Sequence, residues 1–169
     1  ESLEGLSARD MSNKLPYSYE SITLGLTCLS DLGLCLKVAG GSKSKIIQFS
    51  SKGKGLWDKA ADYLIDPVEK RVYCDYLATE STFAKCNINA LSHYTWLNPE
   101  NSLMLMMSRK ELQGLITEKV LHNMNEFDGN IMIEVWKYPV VALLGNDNEW
   151  VDKLSLAISL RDDDDPRVE

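Results

Sequence analysis

The spacing of apolar residues at the start of the chain predicts two helices followed by two strands. Ala8, Met11 and Leu15 recur three and four positions apart, which places them on one face of a helix from Ala8 to about Leu15. A longer helix follows, with an apolar stripe formed by Ile22, Leu26, Leu29 and Leu32. Residues 34–38 and 45–49 then suit two strands, and the Gly- and Ser-rich stretch 39–44 between them has the composition of a hairpin turn.

The residues at the predicted helix ends support these boundaries. Ser7 and Asp10 have the spacing of a capping box at the start of the first helix. Pro16 is expected to end that helix, because proline disfavours helical geometry in the residue before it. Ser18 is suited to cap the second helix, and Gly33 to end it in a left-handed conformation.

Beyond these elements the pattern predicts a connecting helix and a second, mixed domain. Residues 55–64 keep helical spacing up to Asp66-Pro67, where we place the domain boundary. The later apolar runs predict strands at 70–77, 103–107 and 131–138, and helices at 89–97, 116–124 and 151–160. We therefore expect an α+β protein with domains at 1–65 and 66–169, the second a small mixed α/β domain.

Composition adds a cellular context to this picture. The longest apolar runs, such as 103–107 and 140–144, are too short to span a bilayer, and no basic segment precedes a hydrophobic one at the start. We expect a cytoplasmic protein that does not bind a membrane.

The four cysteines lack metal-binding spacing and suit reduced, mostly buried thiols. Because the sequence begins with Glu1 and ends with DDDDPRVE, we expect it to be part of a longer chain.

The charge is distributed unevenly. The net charge is −7, yet residues 1–60 have eight Lys or Arg against six Asp or Glu, while residues 61–169 have ten against nineteen. Six lysines fall within residues 37–59, where Asp58 is the only acid. The basic surplus thus coincides with the predicted hairpin, where lysines can contact phosphates or can instead protect a solvated edge strand from pairing.

The run SARDMSNKLPYSYESITLGLTCLSDLGLCLKV resembles the helix-turn-helix of MarR-like winged-helix transcriptional regulators, over about a third of the chain. The resemblance implies a winged helix-turn-helix over residues 1–65, with the second helix facing a DNA groove and the hairpin as the wing. The residues expected to contact DNA are Ser18, Tyr19, Glu20, Ser21 and Thr23 on the helix, and Lys43 and Lys45 on the wing.

One departure from such regulators favours an alternative. No Lys or Arg occurs from Leu15 to Leu36, so the groove-facing helix lacks the guanidinium groups that commonly read guanine. The segment NALSHYTWLNPE, residues 89–100, resembles part of the antitoxin-regulators of abortive-infection toxin–antitoxin systems. That resemblance implies a carboxy-terminal domain that helps to neutralise a nucleotidyltransferase-type toxin. The acidic surface of this chain's second half is suited to cover the basic substrate-binding cleft of such a toxin.

Catalytic chemistry is not indicated. His93 and His122 are the only histidines and lie outside any metal-binding motif, and no nucleotide-binding or nucleophile-elbow motif occurs. Cys86 and His93 can be drawn as a thiol and base, but four cysteines and two histidines offer such pairs by chance. We expect no enzyme activity, no cofactor and no metal.

The leading hypothesis is a transcriptional repressor that acts by promoter occupancy. The alternative is an antitoxin-like interaction protein whose acidic domain neutralises a partner enzyme, with weak or no DNA binding. A third hypothesis, a repressor that responds to a small molecule, requires a pocket in the second domain. The candidate partners are double-stranded DNA, a toxin-like nucleotidyltransferase bound through the carboxy-terminal domain, and a second copy of the chain.

Overall fold

The computed structural model describes residues 5–15, 17–40, 45–79, 82–138 and 149–168. Over this part of the chain the protein is a mixed α+β structure with six α-helices and three small sheets. The α+β class predicted from the sequence is confirmed at this level. The chain divides into two compact units, Glu1–Leu64 and Ile65–Glu169.

The first unit contains a helix pair followed by a hairpin. Its helices are α1 (Ala8–Lys14) and α2 (Tyr19–Asp31), and its strands are β1 (Cys35–Ala39) and β2 (Lys45–Phe49), which pair antiparallel. A short segment before α1 also joins β2, because Gly5 N donates to Ile47 O at 2.8 Å and Ile47 N donates to Leu6 O at 3.0 Å. The unit ends with α3 (Lys54–Ala60) and a 3₁₀ turn, Ala61–Tyr63.

Local sequence signals set the ends of these helices. Ser7 and Asp10 form the predicted capping box, in which each side chain accepts from the other residue's backbone N–H. Ser18 caps α2 by accepting from Ser21 N, and Gly33 follows α2 with a φ of 71°. Helix α1 ends at Lys14, while Pro16, which was expected to end it, lies outside the described residues.

The core of the first unit is small. Its buried residues come from both helices and both strands, and they are Met11, Leu26, Cys35 and Ile47. Of the predicted α2 stripe, Leu26 is buried, Ile22 and Leu29 pack against this core, and Leu32 is exposed. Trp57, on α3, is only partly buried and belongs to none of the described core clusters.

A three-stranded sheet organises the second unit. It consists of β3 (Val68–Cys74), β5 (Leu103–Ser108) and β7 (Ile131–Trp136), in the spatial order β3-β7-β5. Strand β7 pairs antiparallel with β3 and parallel with β5. The two short strands β4 (Tyr76–Leu77) and β6 (Leu121–His122) form a separate antiparallel pair.

Three helices cover the two faces of this sheet. Helix α5 (Arg109–Thr117) buries Leu112 and Leu115 on one face, against Val72, Met107, Ile133 and Val135. Helices α4 (Asn87–Tyr94) and α6 (Lys153–Ser159) bury Ala90 and Leu156 on the other, against Met106 and Trp136. The alternation of β7 side chains between two cores explains why nearly the whole strand is buried.

One predicted helix of this unit is wrong. The helix expected over 116–124 lies instead at 109–117, and residues 121–122 belong to β6. A capping box formed by Ser108 and Glu111 starts the helix earlier, and Lys119 ends the following turn with a φ of 58°. The apolar residues Val120 and Leu121 then pack from an extended segment, so their spacing is not that of a helix face.

Other predicted elements are present with shifted bounds. The strand expected at 70–77 is interrupted at Asp75, which separates β3 from β4, and the helix expected at 89–97 ends at Tyr94. The thiols of Cys35, Cys74 and Cys86 are buried and free as predicted, whereas Cys28 is exposed on α2. None of the helices in the described ranges is long and apolar enough to cross a membrane.

Candidate nucleic-acid interface

The first turn of α2 is exposed and dominated by polar side chains. Ser18, Tyr19, Glu20 and Ser21 all have exposed side chains at this end of the helix. The Ser18 hydroxyl accepts from Ser21 N at 3.2 Å and lies 3.1 Å from the Ser21 hydroxyl, so both serines are engaged in the cap. Hydroxyls held in this way present remaining lone pairs and protons toward solvent at a helix end that already favours anions.

A cation from α1 lies beside this turn. The guanidinium carbon of Arg9 is 5.7 Å from the centroid of the Tyr19 ring, within the range of a cation–π contact. Arg9 is exposed, and the capping box fixes it in the first turn of α1. The sequence places no basic residue on α2, but the fold brings one next to its amino-terminal end.

A second cation lies further along α2. Lys37, on β1, donates from Nζ to the Thr27 hydroxyl at 2.8 Å, and that hydroxyl donates to Thr23 O at 2.9 Å. Tyr19 and Thr27 are eight residues apart, so Arg9 and Lys37 flank about 12 Å of helix. Sequence reasoning counted Lys37 among the basic residues but assigned it no role, because only the packing of β1 on α2 reveals its position.

Thr23 does not present its hydroxyl on this surface. Its side-chain oxygen is buried and has no hydrogen-bond partner within the described residues, and the residue as a whole is half-buried. Leu24, by contrast, is 73% exposed, and Glu20 lies one turn before it. The accessible side chains on this part of α2 are therefore Tyr19, Glu20, Ser21 and Leu24 rather than Thr23.

The structure describes one of the two hairpin lysines that were expected to contact DNA. Lys45 is exposed at the start of β2, where it pairs with Ala39. Lys43 lies outside the described residues. Lys54 on α3 is already bound to Asp58, with Nζ 3.1 Å from the carboxylate. The described surface thus combines Arg9, Lys37 and Lys45 with two exposed acids of α2, Glu20 in its first turn and Asp31 at its last residue.

The described part of the second unit shows no cluster of side chains suited to bind a metal ion. No group of three or more His, Cys, Asp or Glu side chains there, or elsewhere in the described ranges, is arranged to hold a metal ion. His93 stacks on Trp150 with ring centroids 4.3 Å apart. Cys86 is fully buried, and burial raises the pKa of its thiol well above the ordinary value, with the Glu134 carboxylate adding to the effect. This environment disfavours the thiolate that a nucleophile requires.

A buried carboxylate in this unit escaped the sequence analysis. Glu134 has no exposed surface and accepts hydrogen bonds from Arg71 Nε at 3.1 Å, Asn87 Nδ2 at 2.9 Å and Trp136 Nε1 at 3.1 Å. Asn87 itself has a φ of 53°, unusual for a residue other than glycine. Three donors satisfy the carboxylate, and this arrangement is typical of a structural network that joins β3, β7 and the start of α4.

No protein-family model, curated protein or solved structure matches the chain.

Proposed function

We propose that the protein is a DNA-binding transcriptional repressor that occupies a promoter through its first unit, acting as a winged helix-turn-helix. The observation that carries this proposal is the exposed face of α2, flanked by Arg9 from α1 and Lys37 from β1. These cations supply, from neighbouring elements, the positive charge that α2 itself lacks. A cation that lies beside the groove-facing helix can contact phosphates even when it belongs to a neighbouring element of the fold.

The element order of the first unit supports the same proposal. Two helices joined by a short turn precede an antiparallel hairpin, and the Gly5–Ser7 segment adds a third strand-like pairing to β2. In winged-helix proteins the second helix of such a pair enters the major groove and the hairpin contacts the backbone. Tyr19, Glu20 and Leu24 are then the side chains offered to base edges, with Lys45 directed to phosphates.

The test is a binding titration by fluorescence anisotropy. A duplex from the protein's own promoter and a scrambled duplex of equal length are titrated over a range of salt concentrations. Lys37→Ala with Lys45→Ala should weaken binding to both duplexes and reduce the salt slope by about two, since each lost phosphate contact contributes about 0.9. Lys54→Ala removes one positive charge, from a lysine already bound to Asp58, and should leave the slope unchanged.

A substitution that removes a negative charge instead gives a second test, with the opposite effect on affinity. Glu20→Gln removes the acid in the first turn of α2 and should tighten binding to the scrambled duplex, because a carboxylate near phosphates is repelled. If the wild-type protein binds neither duplex at low salt, or if none of these variants alters affinity, the proposal fails.

A second candidate function is the antitoxin-like interaction protein, and exposed aromatic residues of the second unit favour it. Trp96 is fully exposed, and Phe127 is 86% exposed between the acids Glu126 and Asp128. Aromatic side chains frequently form the anchors of protein interfaces. A stoichiometric partner recovered from host lysate by the wild type but not by Trp96→Ala with Phe127→Ala, together with no retained DNA, would favour this candidate over the first.

A further inference from the structure

A groove opens between α4 and α6 on the second unit. Leu91 and Tyr94 line it from α4, Leu156 and Ala157 from α6, and Leu160 and Val168 from the segment that follows. Its volume is about 410 Å³. Small-molecule sites commonly range from about 300 to 1,000 Å³ with mostly apolar linings, so this groove has the size and chemistry of such a site.

Two cationic side chains line this groove. Lys153 lines it at the start of α6, with Nζ 5.0 Å from the Tyr94 ring, and Arg161 lines it just beyond the end of the helix. Eight residues separate these cations, which corresponds to about 12 Å along a helix. The Arg161 side chain is exposed and forms no hydrogen bond or ion pair with any residue in the described ranges.

One acid, Asp163, also lines the groove, and its carboxylate is engaged by neighbouring groups. Asp163 accepts from Asp165 N at 3.0 Å, and its negative charge acts on Arg71. The chain after α6 is in turn held in place, because Arg167 pairs with both Asp165 and Glu100. The hydrogen bonds from Arg167 lower the pKa of Asp165 to about 2, so this pairing persists at neutral pH. Val168 is thereby kept against the groove.

We propose that this groove binds a small amphipathic carboxylate. The apolar body lies on Leu91, Leu156, Leu160 and Val168, and the acid group pairs with Lys153 or Arg161. An uncharged ligand would leave Arg161 without a partner, and a cationic ligand is disfavoured because the two cations of the lining outnumber its one acid, Asp163. A hydrocarbon or aromatic body up to roughly 12 Å long fits between the two charges. Binding at this groove does not depend on whether the protein binds DNA.

Isothermal titration calorimetry on the full chain tests the proposal with three probes of equal chain length: decanoate, decanol and decyltrimethylammonium. Decanoate should bind tightest, at one site per chain and more weakly at high salt. Lys153→Gln and Arg161→Gln should together weaken decanoate binding by about threefold, as expected for the loss of one partly exposed ion pair, while binding of decanol is unchanged. Equal affinity for decanoate and decanol, or no effect of the charge variants on decanoate, would overturn the proposal.

A steric variant locates the site. Ala157→Trp fills the groove and should abolish decanoate binding, whereas Leu154→Trp, at an exposed position of α6 that does not line the groove, should retain it. Circular dichroism checks that both variants remain folded. Retained binding in a folded Ala157→Trp variant would place the ligand elsewhere and refute the assignment. If that variant does not fold, the surface variants Lys153→Glu and Arg161→Glu should reduce decanoate binding more than their Gln counterparts, and equal affinities would also refute it.

Discussion

At the scale of single residues, the fully buried Glu134 carboxylate holds together three side-chain donors of the second unit. One carboxylate satisfies the donors of Arg71, Asn87 and Trp136. A buried donor without an acceptor costs the full loss of its hydration. The free energy of unfolding should therefore depend on residue 134 far more than on an exposed acid.

We expect Glu134→Leu to lower the free energy of unfolding by about 2–6 kcal/mol, about 1–3 kcal/mol for each of the buried donors of Asn87 and Trp136 that lose their acceptor. The Arg71 side chain is 39% exposed and can reach water instead. Glu134→Gln should cost less, because its amide oxygen still accepts from one or two donors. Glu69→Gln is the matched control: Glu69 pairs with the largely exposed Arg109, and its loss should cost about 0–1 kcal/mol. Urea denaturation followed by circular dichroism measures all three, and equal losses for residues 69 and 134 would contradict the role assigned to the network.

The backbone of Asn87 gives a second residue-scale prediction. Its φ of 53° is in the left-handed region, which costs a residue with a Cβ atom about 1 kcal/mol. Asn87→Ala loses both the hydrogen bond to Glu134 and the tolerance of asparagine for this conformation. Asn87→Gly loses the same hydrogen bond but relieves the backbone. We expect the glycine variant to be more stable than the alanine variant by about 1 kcal/mol in the same denaturation experiment, and a reversed order would contradict strain at this position.

At the scale of elements, two capping boxes show what could be predicted locally and what was missed. Ser7 and Asp10 were identified, and α1 begins where they indicate. Ser108 and Glu111 have the same spacing, but the apolar pattern alone predicts the helix at 116–124, and it begins seven residues earlier, at Arg109. The cap was the decisive signal, because it satisfies backbone donors at the helix start irrespective of which later residues are apolar.

Replacement of Ser108 tests this local control. Ser108→Ala removes the hydroxyl that accepts from Glu111 N, and we expect a loss of about 1 kcal/mol in the free energy of unfolding. Ser108→Asp keeps an acceptor at the cap and should lose little. Denaturation midpoints compare the two variants. If alanine and aspartate are equally destabilising, the cap does not set the start of α5.

The contacts that define the candidate sites were beyond local prediction. Arg9 meets Tyr19 and Lys37 meets Thr27 only after α1, α2 and β1 have packed together, across ten residues of chain in each case. Glu134 reaches Arg71 and Asn87 across 63 and 47 residues. Spacing patterns report which face of an element is buried, but they do not report which distant side chain is opposite it.

At the scale of the whole molecule, the three core clusters are separate. One lies entirely within the first unit and two within the second. Within the described residues the first cluster has four buried members, which is a small core even for a domain of this length. We therefore expect the two units to open in independent events, with the first unit the less stable.

Buried thiols can report these openings one unit at a time. Cys35 is fully buried in the first unit and Cys74 in the second, so each reacts with a thiol reagent only when its own unit opens. Ile47→Ala in the first core should speed labelling of Cys35 by about 100-fold, as expected for a large-to-small core change, and leave Cys74 unaffected. Leu112→Ala should do the reverse. Mass spectrometry of the labelled peptides in the full chain measures both rates, and joint acceleration of the two cysteines in either variant would show that the units open as one.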